Sequence, residues 1–150
     1  MTHNDGVVAR TVATLGLLGI ALIHILELPD TLGDKGYVGG LFIAAIVSSL
    51  LLAAILTRTD DSRVWIATGG FAALVLIAFL FSRTTGLPGF TDYKGVWDDP
   101  SGLRSMVVEG LVVLVSGAVL ASRSTAMARL PEGTRDRSGR AARPGPAALG

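Results

Sequence analysis

Four long apolar runs alternate with shorter polar breaks along the chain. They extend from about Val7 to Leu28, Tyr37 to Thr57, Val64 to Ser82 and Leu103 to Ser122. Crossing the roughly 30 Å hydrocarbon core of a bilayer takes about 20 apolar residues in a helix, and each run approaches or meets that length. None shows the strict alternation of a barrel strand, and backbone in lipid must satisfy its own hydrogen bonds, so each run reads as a transmembrane helix. The first run ends His-Ile-Leu-Glu-Leu-Pro, without the small residues of a cleavage site, and reads as a retained span. The expected fold is all-α: a polytopic bundle of four transmembrane helices within residues 1–122.

The breaks differ in kind. Residues 29–36, with Pro29, Gly33 and Gly36, read as a short outer turn, and Arg58 to Arg63 as a tight charged turn on the other side. Connections this short make their helices antiparallel neighbours. The third break, from Arg83 to Gly102, is too long for an idle connection. It carries Pro88, Phe90, Asp92, Tyr93 and Trp97, and reads as an ordered cap at the outer interface, where Tyr and Trp prefer to sit. Arg83 complements the negative end of the third helix, Pro88-Gly89 is a turn signal, and Asp99 or Ser101 can cap the fourth helix. Residues 123–150 hold six Arg, three Pro and almost no large apolar residue, and read as a disordered basic tail.

Composition narrows the classes. The chain is 50% hydrophobic and 17% charged, against about 25% charged in a soluble domain. It has no Cys, which excludes a disulfide scaffold, thiol catalysis and Cys-ligated metals. Basic residues are asymmetric. One side of a four-span layout holds Arg10, Arg58, Arg63 and six tail arginines; the other holds Lys35, Arg83, Lys94 and Arg104. The positive-inside bias then puts both termini in the cytoplasm, on a vote to which the tail contributes most.

Small residues mark packing faces: Gly16 with Gly19, Ala44 with Ser48, Ala45 with Ser49, Gly69-Gly70, and Gly110 with Gly117. Against this apolar background His24, Glu27 and Glu109 stand out, because an ionisable group in a span is costly. His24 and Glu27 share a helix face, Glu109 lies at similar depth on the fourth helix, and Arg83 closes the third helix at the same end. Three readings stay open. The four residues are an ion-pair network, with Glu109 on Arg83 or Arg104 and His24 on Glu27 or a loop backbone group. They are a working ligand or ion site, as in a small transporter. Or His24, Glu27 and Glu109 hold a divalent metal, the weakest reading because so few ligands are at hand. No other cofactor is expected: His3 sits at the opposite end, so a bis-histidine haem has no second ligand.

The segment Ser82-Arg83-Thr84-Thr85-Gly86-Leu87-Pro88-Gly89-Phe90, followed by Trp97, Pro100, Gly102 and Glu109, resembles a signature of small four-helix membrane proteins of high-GC Gram-positive bacteria. The resemblance spans about residues 10–122 and implies the outer cap and polar cluster as shared features, with no activity attached. The expected location is the bacterial inner (cytoplasmic) membrane. No nucleophile–base pair, phosphate loop, dinucleotide glycine pattern or zinc-protease motif appears, so an enzyme is not expected. Nucleic acid is not an expected partner either, since the basic residues fall in the tail. The expected partners are the lipid bilayer and another membrane protein, and the oligomeric state leaves no signal. The leading functional expectation is a binding or assembly protein acting through its outer loop. The alternative is a small transporter or an ion- or ligand-binding protein built on the polar cluster.

Overall fold

The computed structural model describes residues 3–34 and 36–128. Among them are four α-helices and no named strand: α1 His3–Asp34, α2 Gly36–Leu56, α3 Ser62–Thr84 and α4 Pro100–Ala128. All four are long and apolar enough to cross a membrane. The surface is apolar, with Leu15, Leu26, Leu74, Val107 and Leu114 each more than 60% exposed, while Ser49, Thr68, Arg83, Glu109 and Ser116 are buried. Water does not select such a distribution; it is consistent with a helical membrane protein.

Two boundaries depart from the sequence reading. The predicted outer turn at 29–36 is mostly helix, since α1 runs through Pro29 to Asp34 and only position 35 separates it from α2. A proline within a helix removes the donor to the carbonyl four residues back, and neighbouring hydroxyls can compensate. Two residues on, the buried Thr31 hydroxyl donates to the carbonyls of Glu27 and Leu28 at 3.0 and 3.1 Å, not to the Ile25 carbonyl that the proline leaves without a donor. The second departure is at the predicted tail. Residues 123–128 continue α4, and Arg123 is a structural residue of the bundle. The remainder of that tail, 129–150, lies outside the described residues.

The helices form an incomplete square. α1 packs along α2 and α4, and α3 along α4; α2 and α3 meet only sparsely, and neither diagonal pair brings its Cα atoms within 8 Å. The α1–α4 seam is close because Gly16 allows it: a Cβ there would stand 2.4 Å from Val112 Cγ2. On α4 the buried stripe is Gly102, Ser105, Glu109, Val112, Ser116 and Val119, spaced three and four apart. Gly110 and Gly117 are not on it. Nothing lies within 4 Å of either position's missing Cβ, so they are not the packing face that their spacing suggested.

The two ends of the square differ. At the α2–α3 turn end, Ala13, Leu17, Ala53, Leu56, Trp65 and Val119 bring all four helices into one apolar core. Asp60 fastens this end. Its carboxylate accepts from Trp65 Nε1 at 2.8 Å and Arg123 Nη2 at 2.6 Å, and lies 3.4 Å from Arg10 Nη2. Burial alone would raise the Asp60 carboxyl, but the bonds from Trp65 and Arg123 and the charges of Arg123 and Arg10 outweigh it and hold the group below its ordinary value. The other end, under the α3–α4 loop, is hollow.

Candidate ligand-binding cleft

The hollow is a cleft of about 310 Å³ whose walls are α2 and α3 and whose floor is α1 and α4. It exists because the square lacks its fourth side. Leu41 and Ala44 on α2, and Leu74 and Ala78 on α3, line it while remaining exposed on the apolar surface, so the cleft opens sideways between these two helices.

His24, Glu27, Arg83 and Glu109, singled out from sequence, all line this cleft. The structure brings them to one end of it, but not into the pairs expected of a network. Glu109 bonds neither Arg83 nor Arg104. It accepts from Ser105 Oγ at 2.5 Å, one turn earlier on its own helix, and its second oxygen, Oε2, has no partner among the described residues although the side chain is fully buried. Arg104 is exposed. His24 Nδ1 bonds the Ile20 carbonyl at 2.9 Å, neither Glu27 nor the loop, and its ring tilts against Phe42 at 4.9 Å. Because a carbonyl only accepts, Nδ1 carries the proton of that bond.

Arg83 is held more elaborately. Its guanidinium lies over the Phe79 ring at 5.0 Å and the Tyr93 ring at 4.7 Å. Nη2 donates to Asp99 Oδ2 at 2.6 Å. Asp99 also caps α4, accepting from the backbone N–H groups of Ser101 and Gly102 at 3.1 and 3.2 Å. One carboxylate thus fixes the start of α4 and the end of α3 together. Arg83 is 5% exposed, yet its Nε and Nη1 have no partner among the described residues.

The cap residues divide. Leu87 and Phe90 exchange backbone hydrogen bonds at 2.9 Å in both directions, closing a turn over Pro88-Gly89 in which Gly89 has φ +68°. Pro88 accepts from the Tyr37 hydroxyl at 2.6 Å, joining the loop to the start of α2. Phe90 is buried and Tyr93 half-buried, and both line the cleft. Asp92 and Trp97 do not line it and are exposed. The Gly95 N–H donates to the Arg83 carbonyl at 2.8 Å, closing the loop back onto α3.

Sequence reasoning did not find Ser105, Phe79 or Tyr37. Ser105 had a signal, four residues before Glu109 on one helix face; the other two are ordinary aromatic positions until the loop is seen folded back. Among the described residues no group of three or more His, Asp and Glu side chains is placed to hold a metal ion. The chain matches no protein-family model, no curated protein and no solved structure.

Proposed function

We propose that this protein is an integral membrane binding protein that takes an amphipathic molecule into the cleft, its polar group at the loop end and its apolar part between α2 and α3. In this reading the four helices span a bacterial cytoplasmic membrane with both termini inside, and the α3–α4 loop is an ordered cap on the outer face. The observation that carries it is an apolar cleft with polar and ionisable side chains gathered toward one end of its lining: His24, Glu27, Arg83, Asp99 and Glu109. A cleft mouth facing lipid gives such a molecule a route in from the bilayer.

Binding fits better than passage across the membrane, because the turn half is filled by Leu17, Leu56, Trp65 and Val119. Docking of another membrane protein on the loop has one observation in its favour, the exposed Val96 and Trp97. The other aromatic loop residues turn inward, and an exposed Trp at this end equally suits an interface anchor. The segment Ser82–Phe90, part of the resemblance to small four-helix membrane proteins of high-GC Gram-positive bacteria, supplies Arg83, Leu87 and Phe90 to the cleft, so relatives of that kind would share the site.

Native mass spectrometry of the full chain, extracted in mild detergent, tests the proposal. The wild type should retain a lipid-sized adduct. Filling the cleft with Ser48→Phe together with Ala78→Phe should remove it while the helical circular-dichroism signal stays unchanged. An adduct unaffected by both rings would place the ligand elsewhere.

A further inference from the structure

We infer that the cleft selects a lipophilic primary ammonium: an apolar chain ending in a positive, N–H-bearing head, held by Glu27 and His24. The inference rests on the binding reading above and adds the charge and the hydrogen-bonding character of the head.

The charge follows from which ionisable groups of the lining remain open to a guest. Glu109 is fully buried, with Ser105 on one oxygen and the other sealed from the surface. Arg83 is buried as well, and Asp99 meets its charge at 2.6 Å. Setting these aside leaves Glu27 and His24. Glu27 is half-buried, and among the described residues it joins none of the ion pairs, which are Arg10–Asp60, Arg83–Asp99 and Arg123–Asp60. The cleft thus presents one carboxylate without a counter-charge, against walls that are largely apolar. A cationic head offsets that charge. An anionic head meets repulsion, with no accessible cation in return. A neutral head covers the carboxylate and takes water from it without replacing the charge interaction, which is costly.

Hydrogen bonding sets the kind of cation. A carboxylate only accepts. His24 spends Nδ1 on the Ile20 carbonyl at 2.9 Å, so in the neutral ring Nε2 only accepts too. Nε2 has no partner among the described residues, yet unlike Arg83 Nε or Glu109 Oε2 it is not sealed from the surface. Glu27 and His24 are three apart on α1, and side chains at that spacing are neighbours, with Cβ atoms about 5–6 Å apart. On α3, Ser82 donates its proton to the Phe79 carbonyl at 2.7 Å and turns only lone pairs to the cleft it lines. A primary ammonium carries three donors and can serve the carboxylate and the imidazole together. A quaternary ammonium has no donor and keeps the Coulomb attraction alone.

Placement agrees with this chemistry. Glu27 and His24 stand toward the loop end of α1, where a span approaches the interface. From there the walls continue along Leu41 and Ala44 on α2 and Leu74 and Ala78 on α3, all exposed on the apolar surface. An amine entering from the outer leaflet keeps its head near water while its chain lies between α2 and α3. No charge has to pass through the hydrocarbon, where it would be expensive.

The test is equilibrium binding of radiolabelled oleylamine to the full chain in phosphatidylcholine nanodiscs at pH 7, where an alkylamine is protonated as a lysine is. Empty nanodiscs supply the background, and the unlabelled competitors are oleyl-trimethylammonium, oleyl alcohol and oleate, which share the chain type and differ in the head. Saturable binding is expected, with each competitor at least about tenfold weaker than unlabelled oleylamine. Glu27→Gln, close in shape but uncharged, should weaken binding about tenfold or more, and His24→Phe about threefold or more. Asp30→Asn removes an exposed carboxylate that does not line the cleft, and should leave the affinity within about twofold. Equal or stronger competition by the trimethylammonium, the alcohol or oleate, or an affinity that Glu27→Gln does not move, overturns the head-group inference and leaves the cleft reading standing. Absence of saturable oleylamine binding also overturns the head-group inference alone, since the adduct measurement above decides the cleft reading. Saturable binding that Ser48→Phe with Ala78→Phe does not disturb overturns both. The competitor series uses the unaltered chain, so it decides the question even if a variant fails to fold.

Discussion

Ser105 donates a hydrogen bond to Glu109 one turn away on α4, and the second oxygen of that fully buried carboxyl meets nothing among the described residues. A half-satisfied buried group is a cost to the fold, of about 1–3 kcal/mol. Glu109→Leu, similar in volume and free of that cost, should therefore leave the bundle as stable or raise its stability by about 1 kcal/mol, while Glu109→Gln should change it by less than about 0.5 kcal/mol. Thermal unfolding in detergent, read by circular dichroism, measures both. A marked loss with Leu would show that Glu109 is a structural member of a charge network after all.

Asp60 presents the opposite case, a carboxylate with every partner in place. Asp60→Ala strands the indole N–H of buried Trp65 and should cost about 2 kcal/mol; Asp60→Asn, which can still accept that bond, should cost about half as much. Arg10→Gln, at 3.4 Å and one-third exposed, should cost less than about 0.5 kcal/mol.

The same group sets an acid limit. The Asp60 carboxyl titrates below its ordinary value in the fold. Its contribution is therefore complete above the unfolded value of about 3.9 and is lost as pH falls through the lower folded value. Melting temperatures of wild type and Asp60→Asn should differ by a constant amount from pH 7 to about pH 5, and the gap should narrow progressively as pH falls below about 4. A gap that does not narrow at all under acid would show that the carboxylate charge is not its origin.

The α1–α4 seam depends on a missing methyl group. Gly16→Ala places a Cβ 2.4 Å from Val112 Cγ2 and should destabilise the bundle by about 1–3 kcal/mol. Val112→Ala in the same chain should restore part of that loss, giving a measurable coupling in a double-mutant cycle. Additive effects would mean the two helices do not meet there.

Orientation can be read chemically, because the chain has no Cys of its own. With both termini cytoplasmic, Trp97→Cys should react with a membrane-impermeant maleimide in intact cells. Arg58→Cys should react only after permeabilisation. The reverse pattern would invert the topology and turn the cleft toward the cytoplasm.

Much of this architecture is legible in the sequence because long apolar runs without strand alternation read as helices, and the four helices fall within a few residues of those runs at most ends. The failures have local causes. Pro29 reads as a stop, yet α1 runs through it to Asp34, since one missing donor does not by itself end a helix. Arg123 reads as the first residue of a tail because composition changes there, yet its partner Asp60 is 63 residues away and invisible to any local pattern. The polar cluster was legible as a set, since charges in spans are rare. Its pairing was not: a buried Glu reads as wanting an Arg, and only the folded loop shows that Asp99 has taken Arg83 by doubling as the cap of α4.

The sparse meeting of α2 and α3 makes the molecule resemble a book whose spine is the α1–α4 seam and whose covers are the other two helices. Opening the covers separates little packed surface, so the cleft between them can widen without disturbing the seam. The covers are tied at both corners, by Asp60 and Trp65 at the α2–α3 turn and by the Tyr37 hydroxyl on Pro88 at the loop, so any spreading is greatest between them. Substitutions that thicken or thin the facing edges of α2 and α3 would then retune which molecules enter, leaving the stability of the whole nearly untouched.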